Sequence, residues 1–188
     1  MKKIMIGALL TLLTIGNTLR AEIEQVEVRW NALKCLDICA PSIERNLKSI
    51  SSVTSIQINA QSGTAVLGWA PNSPFIFEPF RRAAAAVGIR FNEIRLRIRG
   101  TIAHHNNNFY LISNGDNNRY VLVGLPPIQP GRFSPRFNAP IIPLAPEVQK
   151  QLLEAERNHY TVLVLGLLSR PDRNSNILMT EKIQMFVK

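Results

Sequence analysis

The chain has 188 residues, 46% of them apolar and 19% charged, with a formal charge of +9. That length admits one large domain or two small ones, and two cysteines exclude more than one internal disulfide. The surplus of cations makes an acidic protein or an anionic surface the natural counterpart.

Lys2 and Lys3 open the chain, an apolar run follows from Ile4 to Ile15, and Ala21 offers a small residue for cleavage. The run is too short to cross a bilayer, so residues 1–21 are expected to be a secretory signal peptide. A periplasmic or secreted location follows from that expectation. Loss of Lys2, Lys3 and Arg20, with no acid, leaves +6 of the +9. In an exported basic chain an acidic protein or an anionic membrane surface is expected as partner, and export argues against nucleic acid. After residue 21 no run is long enough to span a membrane. Val162 to Leu168 is far too short.

Glu24 to Trp30 alternates polar and apolar residues, which predicts a strand. The segment Ala32 to Cys39 predicts a loop, and Pro41 suits the first turn of a helix because its missing N–H has no partner there. Ile43, Leu47 and Ile50 recur at helical spacing. Val53 to Asn59 predicts a second strand with Ile56 and Ile58 on its apolar face. Gln61-Ser62-Gly63 predicts a turn, and Thr64 to Trp69 a third strand. After the break Ala70 to Pro74, Phe75 to Val87 predicts a helix that Gly88 ends. Phe91 to Arg99 predicts a fourth strand, with Ile94, Leu96 and Ile98 on one face and Arg95, Arg97 and Arg99 on the other. The order β-α-β-β-α-β predicts a ferredoxin-like domain over residues 22–99, about 75 residues and enough for a small core.

Gly100 is read as the boundary to a β-rich domain over residues 100–188. Thr101 to His105 is a further strand that can continue from the previous one. Phe109 to Ser113 and Arg119 to Gly124 predict a hairpin around Asn114 to Asn118. Seven of the twelve prolines lie between Pro126 and Pro146, which predicts a surface loop. Glu147 to Asn158 predicts a helix, and Tyr160 to Leu168 and Asn176 to Phe186 the last strands. Three strands, a helix and two strands is the order of an OB-like β-barrel. The expected fold class is thus α+β, a ferredoxin-like βαββαβ N-terminal domain followed by a small β-barrel.

The run Cys39-Ala40-Pro41-Ser42-Ile43-Glu44-Arg45-Asn46-Leu47 resembles the start of the first helix in heavy-metal-associated domains. Those domains place a metal-binding Cys at the helix start, Ile or Val four residues on, often a following Glu, and then Leu. Val53 to Asn59, Gly63-Thr64-Ala65-Val66 and Ala86-Val87-Gly88-Ile89 extend the resemblance, which covers about residues 24–99. The resemblance implies a carrier or sensor of a soft metal ion, copper(I) or mercury(II), with a metal-donor or metal-acceptor protein as partner. It implies Cys35 and Cys39 as ligands, and Leu33 in the buried place of the family's Met. The family's loop is Gly-Met-x-Cys-x-x-Cys. Here three residues separate the sulfurs, and Ile89 stands where a Tyr is common.

Two thiolates on a loop suit a soft ion, and the dipole of the following helix stabilises the Cys39 thiolate, aided by Lys34 and opposed by Asp37. The alternative for the same pair is a disulfide. A regular helix holds side chains at i and i+4 too far apart for one, and a loop at Cys35 removes that obstacle. If the metal is absent, the scaffold reads as an adaptor. His104 and His105 are adjacent on a strand and face opposite ways, and His159 has no acid or nucleophile partner in sequence. No catalytic motif is present, and no enzyme is expected. Arg95, Arg97 and Arg99, with Arg81, Arg82 and Arg90, offer a basic face for an acidic partner. Tyr110 and Tyr120 are expected to pack the barrel.

Overall fold

A computed structural model of the protein describes residues 23–34, 39–113, 115–116, 118–127, 139–169 and 176–187. The elements in chain order are β1 (Ile23–Trp30), a 3-10 turn (Ala32–Lys34), α1 (Ala40–Lys48), β2 (Val53–Asn59), β3 (Thr64–Trp69), α2 (Phe77–Ala85), β4 (Phe91–His105), β5 (Asn108–Ile112), β6 (Arg119–Gly124), α3 (Pro146–Arg157), β7 (Thr161–Ser169) and β8 (Ile177–Phe186). The expected signal peptide, Cys35, Leu36, Asp37, Ile38 and most of the proline-rich loop lie outside the described residues.

The strands form one eight-stranded sheet in the order β2-β3-β1-β4-β5-β6-β8-β7, and β4 pairs again with β7. That last pairing closes β4, β5, β6, β8 and β7 into a barrel. β6 and β8 run parallel through Val121–Gly124 and Ile177–Thr180, whereas the other pairings are antiparallel. A closed five-stranded barrel with a helix between its third and fourth strands is compatible with the OB-like expectation.

The expected ferredoxin-like βαββαβ domain is overturned. β1, β2 and β3 have no sheet of their own. They are three outer strands on the barrel, joined to it through β4, and the molecule is mostly β with three helices among the described residues. Residues Arg95 to Ile98 of β4 pair with β1 on one edge and with β7 on the other. Gly100 falls inside this strand. There β4 changes partner, from β1 up to Ile98 to β5 from Thr101 onward. A Cβ at Gly100 would lie 2.4 Å from the carbonyl oxygen of Ile112, so the glycine permits the close approach of β5. The inward row of β4 (Ile94, Leu96, Ile98 and Ile102) is buried on both sides of Gly100. An apolar alternation that runs through the glycine gives the chain no place to break the sheet.

The outer strands and the barrel share one core. Val26, Val28, Ile43, Leu47, Leu67 and Phe80 belong to the same buried cluster as Leu111, Tyr120, Leu152, Val162 and Leu178. α1 and α2 supply Ile43, Leu47, Phe80, Ala83 and Ala84 from their apolar stripes, as helical spacing requires. The aromatic group Trp69, Phe75 and Phe80 pins the start of α2, with Trp69 stacked on Phe80 at 5.8 Å between centroids. α3 begins at Pro146 and buries Leu152 and Ala155.

Candidate functional site

The two cysteines lie in the sequence between β1 and α1. Trp30, the last residue of β1, is buried with its ring tilted against Phe91 at 6.3 Å. Its backbone N–H donates to the carbonyl of Gly63 (2.9 Å). Gly63 has φ +63°, and a Cβ there would lie 2.4 Å from the Trp30 carbonyl oxygen. Only glycine fits this approach. The Trp30 indole N–H is buried and has no hydrogen-bond partner among the described residues. Asn31 then accepts the Leu33 N–H through its side chain (3.0 Å). Leu33 is 85% exposed, so it does not take the buried place expected for it.

Cys39 precedes α1, and its carbonyl accepts the first helical hydrogen bond from Ile43 N–H (2.9 Å). Its side chain is partly buried against the core and is disulfide-bonded. Cys35, the chain's other cysteine, lies outside the described residues, as does Asp37. A soft ion needs thiolates, and the bonded sulfur of Cys39 offers none in this state. Of the other motif positions, Ile43, Leu47 and Ile89 are buried, and Glu44 makes an ion pair with Lys48 (2.6 Å). Among the described residues no three His, Cys, Asp or Glu side chains gather as a metal site.

The arginine row of β4 is occupied by carboxylates. Arg95, whose side chain is only 15% exposed, reaches Glu27 (3.1 Å), Glu93 (3.3 Å) and Glu181 (3.1 Å). Burial lowers the pKa of its guanidinium, and the carboxylates of Glu181, Glu93 and Glu27 more than offset this, holding it above the ordinary value. Glu24 bridges Arg97 (2.9 Å) and Arg99, and Arg99 also lies over the Phe186 ring (4.9 Å). Arg29 pairs with Glu27 (2.7 Å). Four arginines and four glutamates thus bind β1, β4 and β8 together. Strand parity carries a signal for this set: Glu27 is the register partner of Arg95, so the two rows face each other once β1 and β4 are paired.

The helix layer carries cations in excess of its acids, and Arg119, Lys150, Arg157 and Lys182 are further exposed cations with no ion pair among the described residues. α1 carries Arg45 and Lys48, α2 carries Arg81 and Arg82, and Arg90 follows α2; only Glu44 and Glu78 oppose these five cations. Lys48 is held by Glu44 and Arg81 by Glu78 (2.6 Å each). The hydrogen bond from Arg81 lowers the pKa of Glu78. Arg82, 71% exposed, stands 4.0 Å from the same carboxylate. Arg45 and Arg90 are exposed and have no acidic partner among the described residues. Between the helices lies a groove of about 410 Å³ lined in part by Asn46, Ser49, Ser51, Pro79 and Arg82.

Two histidines end β4 and the third lies in the turn after α3. The His104 ring stacks on Phe109 at 4.6 Å, and its backbone N–H donates to Glu156 (2.7 Å). His105 is exposed, and His159 takes φ +52° in the turn after α3. Tyr120 is 1% exposed inside the barrel. Burial first, and the Asp116 charge second, raise its pKa, against a hydrogen bond with Asn118. Tyr110 is partly exposed on β5.

Comparison with protein-family models, with curated proteins and with solved structures finds no match for this chain. None of these comparisons bears on the likeness to heavy-metal-associated domains, which rests on the sequence of residues 24–99 alone.

Proposed function

We propose that this protein is a non-catalytic adaptor that binds an acidic protein through the outer surface of α1 and α2. The observation that supports this reading is the distribution of charge. The arginines of β4 are matched by carboxylates within the sheet, while the five cations on and beside α1 and α2 face two acids, with Arg45 and Arg90 unpaired among the described residues and Arg82 at 4.0 Å from the Glu78 carboxylate that Arg81 already holds. Exposed cations in excess of the nearby acids attract an acidic surface at a distance, and that attraction is sensitive to salt. The groove between the helices gives such a partner a polar seat beside Arg82. In this reading the disulfide at Cys39 is structural and fixes the lead into α1. A metal-carrier role for Cys35 and Cys39 would require that bond to be reduced first.

Titration with polyglutamate tests the reading, with vesicles of anionic lipid as the contrast. Polyglutamate is expected to bind at low salt and release at high salt, and a triple Arg45→Glu, Arg82→Glu, Arg90→Glu variant is expected to lose that binding while keeping its circular dichroism. Equal binding by wild type and the triple variant would overturn the reading. Binding to vesicles alone would replace the acidic protein with a membrane surface.

A further inference from the structure

Barrel closure removes the edges of five strands, but the outer strands create a new one. β2 ends the sheet and pairs only with β3. Exposed edges in soluble proteins are usually blunted by charge, proline or bulges. The sequence Val53-Thr54-Ser55-Ile56-Gln57-Ile58-Asn59 has no charged residue and no proline, in a chain with 22 Lys and Arg and 13 Asp and Glu. One irregularity lies between Val53 and Ser55, and the register from Ser55 to Asn59 is regular. At the ends, the Val53 N–H donates to Ile50 and the Asn59 carbonyl accepts from Ser62. Between them, the outward backbone groups have no partner among the described residues.

We propose that Ser55–Asn59 is a self-pairing edge, and that two copies of this chain join there as antiparallel strands about a two-fold axis at Gln57. This register sets Ile56 against Ile58 of the second copy, twice, on the half-buried inner face. It sets Ser55 against Asn59, and Gln57 against itself, on the polar face. Each opposed pair is thus apolar with apolar or polar with polar, the matching that stabilises cross-strand neighbours. A second copy suits this edge better than a charged partner does. The molecule as a whole is basic, and an uncharged stretch such as this one adds no close like-charge contact when two copies meet. The contact is isologous, so it closes at two chains.

Light scattering of the purified protein across a concentration series tests the proposal. Wild type is expected to rise from the mass of one chain toward that of two. Gln57→Lys places like charges face to face on the axis, and it is expected to stay at one chain, as is Gln57→Glu. An equimolar mixture of the two variants is expected to regain the two-chain mass. Gln57 is exposed, and unchanged circular dichroism verifies that the variants fold. In wild type, amide-exchange protection is expected to increase with concentration at Ser55–Asn59. A wild type that stays at one chain, a variant that pairs as wild type does, a mixture that fails to pair, or protection that rises elsewhere instead would each overturn the proposal.

Discussion

Arg95 of β4 reaches Glu181 of β8 across the intervening strand β7, with Nε 3.1 Å from Oε2. The same guanidinium holds Glu27 of β1, so one side chain ties the outer strands to the far wall of the barrel. Replacing it with methionine keeps much of the packing and takes one shared cation away from three partly buried carboxylates, of which Glu27 keeps Arg29. The expected loss is about 1–3 kcal/mol, below that of a fully buried pair because water still reaches the site. Guanidinium unfolding of Arg95→Met measures it. An Arg97→Met change at the half-exposed end of the row is expected to cost clearly less. Equal losses at the two positions would show that Arg95 is no more than a surface partner.

The disulfide at Cys39 makes two separable predictions. Closing a loop of about five residues restrains the unfolded chain by about 2 kcal/mol in the chain-entropy treatment. Reduction, or a Cys35→Ser, Cys39→Ser double variant, is therefore expected to lower stability by about that amount and leave the fold intact. Under the adaptor reading, the reduced wild type and the double variant take up copper(I) equally weakly against a competing chelator. Tight uptake by the reduced wild type alone would restore the carrier reading.

Tyr120 sets an alkaline limit. Its pKa in the folded chain is raised above the ordinary value of 10.0, chiefly by burial. The folded state therefore retains a proton that the unfolded state loses. The stabilisation is complete below about pH 10 and falls as pH rises further, since ionisation favours the unfolded chain. Alkaline titration is expected to show tyrosinate absorbance of one residue appearing together with loss of the near-ultraviolet circular dichroism. Tyr120→Phe is expected to lose about 1 kcal/mol at neutral pH, through the hydrogen bond with Asn118, and to resist alkali better than wild type. Ionisation of Tyr120 at the ordinary value, without unfolding, would contradict its burial in the core.

Local patterns carried the elements into view, whereas the closure of the sheet is not local. Alternation at Ile94, Leu96 and Ile98 predicts β4, and Pro41 with Ile43 and Leu47 predicts α1. The pairing of β4 with β7 brings Arg95 beside Leu167, 72 residues along the chain, and nothing in either stretch announces that meeting. The arginine row is visible as a face with Glu93 on the same strand, but its other acids are distant in sequence: Glu24 and Glu27 lie on β1, and Glu181 lies on β8. Cys39 is legible as the start of α1, and its bonded state depends on the geometry of a loop that the spacing leaves open. Gly100 marks the point where β4 passes from β1 to β5 without interrupting the strand. A glycine ends a strand in one context and permits a close crossing within a strand in another.

That crossing can be tested against a glycine of the other kind. At Gly100 a methyl group would meet the Ile112 carbonyl oxygen at 2.4 Å, and that carbonyl belongs to the strand that β4 takes as its new partner. It can yield only if β5 shifts. At Gly88 the φ is +73°, and nothing lies within 4 Å of the added carbon. There the penalty is the left-handed backbone alone, about 1–2 kcal/mol. Gly100→Ala is expected to cost more, about 2–3 kcal/mol, as overpacking against a fixed neighbour does. It is also expected to speed amide exchange in β5 while leaving β2 and β3 unaffected. Urea unfolding of the two variants ranks them. If Gly88→Ala proved the more damaging, the approach of β5 to β4 would not be what requires a glycine at position 100.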